Sequence, residues 1–395
     1  MRILHTSDWH IGRTFFERST LDAARHALAE VPRLINKHEI DVVIAAGDIF
    51  DSANPNKEAI NTLRDIFTSI LETGAKLVVT SGNHDSAARL GLVGTFSAGS
   101  GLHLFTEVED AANPLELTDS FGAVDFYGIP FIEPSLHRKV EWMPDDASDQ
   151  HGALAAAMTQ IRSQVQSRKT NNRRSVVVSH TFVAGAESAS SDSERSITRA
   201  PLEAGGVDNV PPKVFDGVDY VALGHIHSRK ELKHNLRYSG AVVHYSFKEA
   251  GTPRGGWLVD LVPDKEPEIQ WVDFPILREL TEIRGTFEEL LTKADFEAYK
   301  DHFIRAVYTD QTSQFDAIRK LQTSRFPFCV EVRNEPQSKV AESKAAYRDR
   351  VQGKTDAEII EQFLLDVRNG VGATKEERAA LKQAIEQIIA AEDSK

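Results

Sequence analysis

Five short motifs, each directly behind an apolar, β-rich run, restrict this chain more than any other feature. Asp8-Trp9-His10 comes after Ile3-Leu4, Gly47-Asp48 after Val42 to Ala46, and Gly82-Asn83-His84-Asp85 after Leu77-Val78-Val79. Ser179-His180 closes the run that begins at Ser175, and Gly224-His225-Ile226-His227 comes after Tyr220 to Leu223. Continuous apolar runs suit strands covered on both faces. Loops at strand ends are where layered α/β domains place their chemistry. The expected fold class is therefore α/β, with the motifs gathered at strand ends.

The motif residues are Asp, Asn and His, with no thiolate, which suits divalent ions of intermediate hardness such as Mn²⁺ or Fe²⁺. On extended backbone, His225 and His227 are two apart and face the same way. Gly47, Gly82 and Gly224 are expected to let the backbone turn where a metal or phosphate comes close. Each motif alone is weak, since a buried histidine is usually a satisfied core residue. The ordered set is the signal.

Between the runs lie helical stretches such as Pro55 to Thr73, with Leu63, Ile66, Phe67 and Ile70 as its apolar stripe, Pro55 in the first turn and Gly74 as the stop. Residues 235–272 read as short antiparallel strands, Tyr238 and Val242-Val243 among them, closing a domain of residues 1–275. Residues 276–333 read as a small α+β domain, with strands at Leu277–Ile283, Ile304–Tyr308 and Phe328–Val332 and helices at Phe287–Lys293 and Phe315–Leu321. Residues 334–354 are polar and read as a linker. In residues 355–395, Thr355 with Glu358 and Thr374 with Glu377 have capping-box spacing. One apolar stripe there is Ile359, Ile360, Phe363, Leu364 and Val367; the other is Leu381, Ala384, Ile385, Ile388 and Ile389. A helical hairpin this small cannot bury both stripes by itself, so it packs on its own chain or docks on a partner.

Composition removes several classes. At 395 residues with a single cysteine, Cys329, the chain supports neither a disulfide framework nor a Cys-rich zinc site. Cys329 reads as a small core hydrophobe. No run is long enough to span a membrane, and Asp8 and His10 interrupt any signal-peptide core, so a cytoplasmic location is expected. The net charge of −13 argues against a nucleic-acid partner on its own. A local surface can override it, and Arg162, Arg168, Lys169, Arg173 and Arg174 form one basic cluster, whose blander reading is a solvated helix end and loop.

The ordered motifs resemble the calcineurin-like metallophosphoesterase superfamily, through Asp8-x-His10, Gly47-Asp48-Ile49-Phe50-Asp51, Gly82-Asn83-His84-Asp85 and Gly224-His225-x-His227. Thr6 to Gly12 resembles its SbcD nuclease branch, and the order of the C-terminal parts fits that branch as well. The resemblance implies an αββα sandwich with a small capping domain and a C-terminal helical hairpin. It implies two divalent ions, Mn²⁺ first and Mg²⁺ or Fe²⁺ otherwise: one held by Asp8, His10 and His227, the other by Asn83, His180 and His225. Asp48 would bridge them with its two oxygens, at a separation of about 3.5–4 Å. His84 would be no ligand but would stabilise or protonate the leaving oxygen. Asp85 would either orient His84 or simply form the turn. Archaeal and eukaryotic relatives carry a second active-site histidine where this chain has Asp51, so that role is not transferred.

The resemblance further implies cleavage of DNA, by exonuclease action on duplex ends and endonuclease action on single strands or hairpins. It implies an SMC-like ATPase partner, SbcC, docked on the 355–395 hairpin, and a homodimer within a heterotetramer. Leu63, Phe67, Leu90, Leu92, Val93 and Phe96 are candidates for the dimer face, with core packing as the plainer reading. A phosphatase or cyclic-nucleotide phosphodiesterase is an alternative; here Asp51-Ser52-Ala53 stands where protein phosphatases of this fold carry Arg-Gly. A scaffold without catalysis is disfavoured because all seven ligands and His84 are present.

Overall fold

A computed structural model describes residues 1–96, 99–134, 140–145, 147, 149–186, 210–336, 353–368 and 371–392. The chain divides into two compact units, Met1–Arg278 and Glu279–Lys395.

The first unit carries the strands β1 (Arg2–Thr6), β2 (Thr14–Phe15), β3 (Arg18–Ser19), β4 (Val42–Ala46), β5 (Lys76–Thr80), β6 (Leu102–Phe105) and β7 (Leu115–Asp119). After these come β8 (Gly122–Ile129), β9 (Arg174–His180), β10 (Tyr220–Gly224), β11 (Lys230–Lys233), β12 (Leu236–Tyr238), β13 (Gly255–Asp260) and β14 (Glu268–Asp273). Two six-stranded sheets result, in the orders β14-β13-β1-β4-β5-β6 and β11-β12-β10-β9-β8-β7. β1, β4 and β5 run parallel in the first sheet, and β8, β9, β10 and β12 in the second.

Side chains alternate along these strands, and both faces are apolar. Ile3, Val42, Ile44, Val78, Val176, Val178 and Ala222 fill one core between the sheets. Leu4, Val43, Leu77 and Val79 turn the other way, onto α1 (Leu21–Leu28), α2 (Val31–His38) and α3 (Lys57–Leu71). Val177, Val221 and Leu223 pack outward with Leu154, Met158 and Ile161 of α5 (Gln150–Ser167). α4 (Ala87–Phe96) contributes Leu90 to the first outer core. This is the helix–sheet–sheet–helix layering that covered parallel strands require.

Local details differ from the sequence reading. Asn56, not Pro55, starts α3: its side chain accepts the Ala59 N–H at 2.9 Å, with Pro55 just outside. The segment at Val242-Val243 is no strand, and β12 pairs parallel with β10, so the closing region is only partly antiparallel. Leu63, Phe67 and Leu90 are core, whereas Leu92 is exposed. The side chains of Val93 and Phe96 lie outside the described residues.

The second unit begins with β15 (Leu280–Gly285), α6 (Phe287–Thr292), β16 (Phe303–Tyr308), α7 (Ala317–Ser324) and β17 (Cys329–Asn334). The three strands are all parallel and alternate with helices, so this sheet is α/β rather than the expected α+β. Parallel pairing demands a crossover, and each helix supplies one. Cys329 is buried in its core beside Ile304 and Phe326. Most of the 334–354 linker lies outside the described residues. The hairpin consists of α8 (Asp356–Val367) and α9 (Lys375–Glu392). Both capping boxes form: Glu358 N–H donates to Thr355 Oγ1 and Glu377 N–H to Thr374 Oγ1, with each glutamate accepting in return. Arg368–Glu377 and Arg378–Glu361 pair across the two helices, the nearest contacts being 2.8 and 2.9 Å.

Candidate metal centre

The carboxyl ends of β1, β4, β5, β9 and β10 lie along one edge of the sandwich, so the five motifs meet there. The Asp8 loop is laid on the Asp48 loop: Asp8 N–H donates to Gly47 O at 3.1 Å, His10 N–H to Asp48 O at 2.9 Å and Ile11 N–H to Ile49 O at 2.9 Å. Asp8, in turn, accepts the His225 N–H at 3.0 Å, which ties the two sheets together at this edge.

Two trios of ligand-type side chains result. In the first, His10 Nε2 and His227 Nε2 lie 3.0 Å apart, with Asp8 in the same cluster. In the second, Asn83 Oδ1 is 3.0 Å from both His180 Nε2 and His225 Nδ1. Asp48 stands between them. Its Oδ2 is 3.5 Å from His10 Nε2 and 3.4 Å from His180 Nε2. One oxygen thus faces both trios, while Oδ1 accepts the His84 N–H at 2.9 Å. Of the two oxygens expected to bridge, Oδ2 is the one turned to both trios and Oδ1 is bonded to the main chain.

The electrostatics fit cations. Burial pushes His10, His225 and His227 down, His225 to about 3, so these rings are neutral, the form that ligates metals. Burial also drives Asp8 up, against the pull of His180. For Asp48 and His180, burial disfavours both charges. Each holds the other charged: Asp48 stays well below the usual carboxylate range and His180 above the usual imidazole range. His180 Nδ1 donates to Ala46 O at 2.9 Å, which leaves Nε2 to face the cluster. Carboxylate oxygens and imidazole nitrogens thus converge in a buried space, the set a divalent cation takes as ligands once it displaces the proton of His180.

Residues 1–229 match the calcineurin-like phosphoesterase family. The chain belongs to the calcineurin-like phosphoesterases. It is 28% identical over 324 residues to the SbcD component of the nuclease SbcCD of Staphylococcus epidermidis, covering 82% of each chain. To the protein of that name from Staphylococcus saprophyticus it is 30% identical over 307 residues, 77% of each chain. A dimetal phosphatase from Danio rerio has 12% identity and a TM-score of 0.39 over 70% of this chain and 99% of its own. The family identifies this chain as a hydrolase of phosphoesters, and its fold as the metallophosphoesterase sandwich.

Strain marks the phosphoesterase site. Asp8, His10, Asp48 and His225 all have left-handed backbone, with φ of 52°, 43°, 50° and 108°. Such conformations cost of order 1–3 kcal/mol each and persist where the surroundings over-determine them. The glycines serve close approach more than turning. Only Gly47 among the three has positive φ. At Gly82 a Cβ would strike the Asp48 carboxylate, and at Gly224 the Ala46 carbonyl oxygen.

Asp85 does not touch His84. Its carboxylate accepts the N–H groups of Gly82, Phe50 and Ile49 at 2.9, 2.8 and 3.0 Å, clamping two motif loops together. His84 Nδ1 instead meets the Asp51 carbonyl oxygen at 2.9 Å. His84 is half-buried and stands edge-on to His10, ring centres 4.8 Å apart.

Several residues at this edge had no signal in the sequence. Tyr245 lies edge-on to both His10 and His227 at 5.6 and 5.7 Å. Arg13 stacks on Tyr245 at 4.5 Å, and Arg254 donates to His227 O at 2.5 Å and pairs with buried Glu249. None of the three is itself a metal-ligand residue type: Arg13 lies just past the Asp8-x-His10 motif, and Tyr245 and Arg254 lie between β12 and β13.

Three members of the basic cluster are engaged by acids rather than left free for a phosphate. Arg168 and Arg173 both pair with Asp125 and Glu116, and Arg174 pairs with Asp119. Lys169, Arg173 and Arg174 line a cavity of about 910 Å³ at the opposite strand ends, away from the chemistry. Among the described residues no helix is long and apolar enough to cross a membrane.

Proposed function

We propose that this phosphoesterase is a metal-dependent DNA nuclease with two Mn²⁺-class ions, acting on duplex ends and on single strands or hairpins. The observation that carries the metal reading is the single Asp48 oxygen within 3.5 Å of one ring nitrogen from each trio. Asp8, His10 and His227 hold one ion, and Asn83, His180 and His225 the other. The DNA substrate is supported by the two staphylococcal relatives, whose names are those of nuclease components.

When bound, such ions supply the positive charge that polarises a phosphoester and the acidity that activates water. His84 does the proton work. Its Nδ1–H is held by the Asp51 carbonyl, so Nε2 is the nitrogen that meets substrate. As water adds to phosphorus and the P–O bond breaks, protonated His84 passes its Nε2 proton to the leaving oxygen, one proton of the attacking water is released to solvent, and His84 takes up a proton from solvent before the next turnover.

The 355–395 hairpin is proposed to dock on an SMC-like ATPase of the SbcC kind, in a heterotetramer built on a dimer of this chain, in the cytoplasm. Its stripes support this. Ile359, Ile360, Leu364, Leu381 and Ile385 are only half-buried and Phe363 is 52% exposed. The side chains of Val367 and Ile388 lie outside the described residues. The test of the activity is cleavage of labelled linear duplex DNA against bis-p-nitrophenyl phosphate, with Mn²⁺. Turnover of the small diester without DNA cleavage, in the presence of the ATPase, rejects the nuclease reading. Deletion of 355–395 is expected to abolish copurification with the ATPase and leave metal content unchanged; retained copurification rejects the docking assignment.

A further inference from the structure

His10 Nδ1 is buried and has no well-aligned hydrogen-bond partner, and the carboxylate facing it is that of Asp51, with Oδ1 at 3.4 Å. The same oxygen lies 3.6 Å from Arg13 Nε. The main-chain carbonyl of Asp51 accepts from His84 Nδ1 at 2.9 Å. Asp51 itself is anchored, since its N–H donates to Ile11 O at 3.3 Å in the loop that carries His10. One residue thus reaches a candidate ligand, the candidate acid and a stacked guanidinium.

We infer that Asp51 is a positioning residue: its carboxylate orients the His10 ring for metal binding, and its carbonyl oxygen fixes the His84 ring. The chemistry follows from the two nitrogens of His10. Nε2 points at His227 Nε2, 3.0 Å away, and into the cluster with Asp8. A ring that offers Nε2 to a cation carries its proton on Nδ1, and a buried N–H needs an acceptor. Asp51 supplies it. The carboxylate also turns Arg13 toward the cluster, where its guanidinium reaches 3.4 Å from His10 Nε2. The two functions of Asp51 separate, because a substitution removes the carboxylate and keeps the carbonyl.

This rests on the metal-dependent reading above, and its test keeps the two apart. Mn²⁺ binding to the full chain is measured by calorimetry for the wild type, Asp51→Ala and Asp51→Asn, with folding checked by circular dichroism. Asp51→Ala is expected to lose about 10–100-fold in affinity at one of two sites, as loss of an outer partner of a ligating histidine does. Asp51→Asn, which keeps an acceptor oxygen, is expected to lose less. At saturating Mn²⁺ the Ala variant is expected to regain most of its turnover number, since the carbonyl still holds His84. Unchanged affinity in Asp51→Ala overturns the inference, whereas a wild type that binds no Mn²⁺ overturns the metal reading instead. Should the Ala variant not fold, nitrogen NMR of the metal-free wild type decides. Asp51 as acceptor requires His10 to carry its proton on Nδ1, and a proton on Nε2 alone overturns the inference.

Discussion

The metal edge of the sandwich and the C-terminal hairpin are built on opposite terms. At the edge, polar side chains are buried and lean on one another: Asp48 on His180 and His84, Asp85 on three main-chain N–H groups, His180 on Ala46 O. In the hairpin, apolar side chains are half-exposed, and the internal ties described are charged pairs at the surface. The first is finished inside its own unit and needs only small ions. The second, among the described residues, leaves apolar area half-exposed, the area that the proposed partner would cover. The difference separates preorganisation, which costs strain in the chain itself, from docking, whose energy is realised only in a complex.

Four measurements bear on that contrast. The largest expected effect is His84→Gln, which is expected to lower the turnover number by about 10²–10⁴-fold. Metal content by elemental analysis should stay at the wild-type level; unaltered turnover removes His84 from the chemistry. Next is Gly224→Ala, whose Cβ lands on the Ala46 carbonyl oxygen, backbone that cannot swing aside. A loss of about 3 kcal/mol or more in urea unfolding is expected, the upper end of core overpacking because the atom struck is backbone. A loss below about 1 kcal/mol would mean that the edge yields more than close packing allows.

The third concerns pH. His5 is wholly buried, with Nε2 donating to Leu223 O at 3.1 Å and Nδ1 accepting from Tyr220 OH at 2.9 Å, so it bridges the two sheets. Burial pushes it down from 6.5 to about 3. The unfolded chain therefore takes up this proton first, and the contribution of His5, full above pH 6.5, drains away as pH falls toward 3. It amounts to a few kcal/mol in order of magnitude. Urea unfolding across this window, on metal-free wild type and His5→Gln, should give the variant a shallower acid limb; equal slopes remove His5 as the cause. The smallest expected effect is Ile360→Ser in the hairpin. The residue is half-buried, so the free chain is expected to change by about 1 kcal/mol or less, while affinity for the ATPase falls. A large loss of stability in the free chain would mean that the stripe is already covered.

How much could be read in advance varies by residue. The alternation of Ile3, Leu4, Val42, Val43, Val78 and Val79 between two cores was readable because strand geometry is local and has period two. The capping boxes at Thr355 and Thr374 were readable because their partners lie three residues apart. The ligand types were readable because each motif keeps its own strand end. The partners of Asp85 and Asp51 were not readable, because both act through main-chain groups or through a ring 41 residues away in sequence, and residue identity alone does not report such partners. The parallel β12 and the all-parallel sheet of the second unit were missed for a similar reason: pairing direction depends on where a crossover lands.

Which residue types reach the site, and that strands carry them, follows from the chain alone, since short-range periodicity and side-chain chemistry are local properties. Packing of the two sheets was needed to bring one oxygen of Asp48 against both trios, to hold four site residues in left-handed backbone, and to neutralise the arginine cluster with acids. Those outcomes depend on contacts between segments up to about two hundred residues apart, which no local pattern of residues can report.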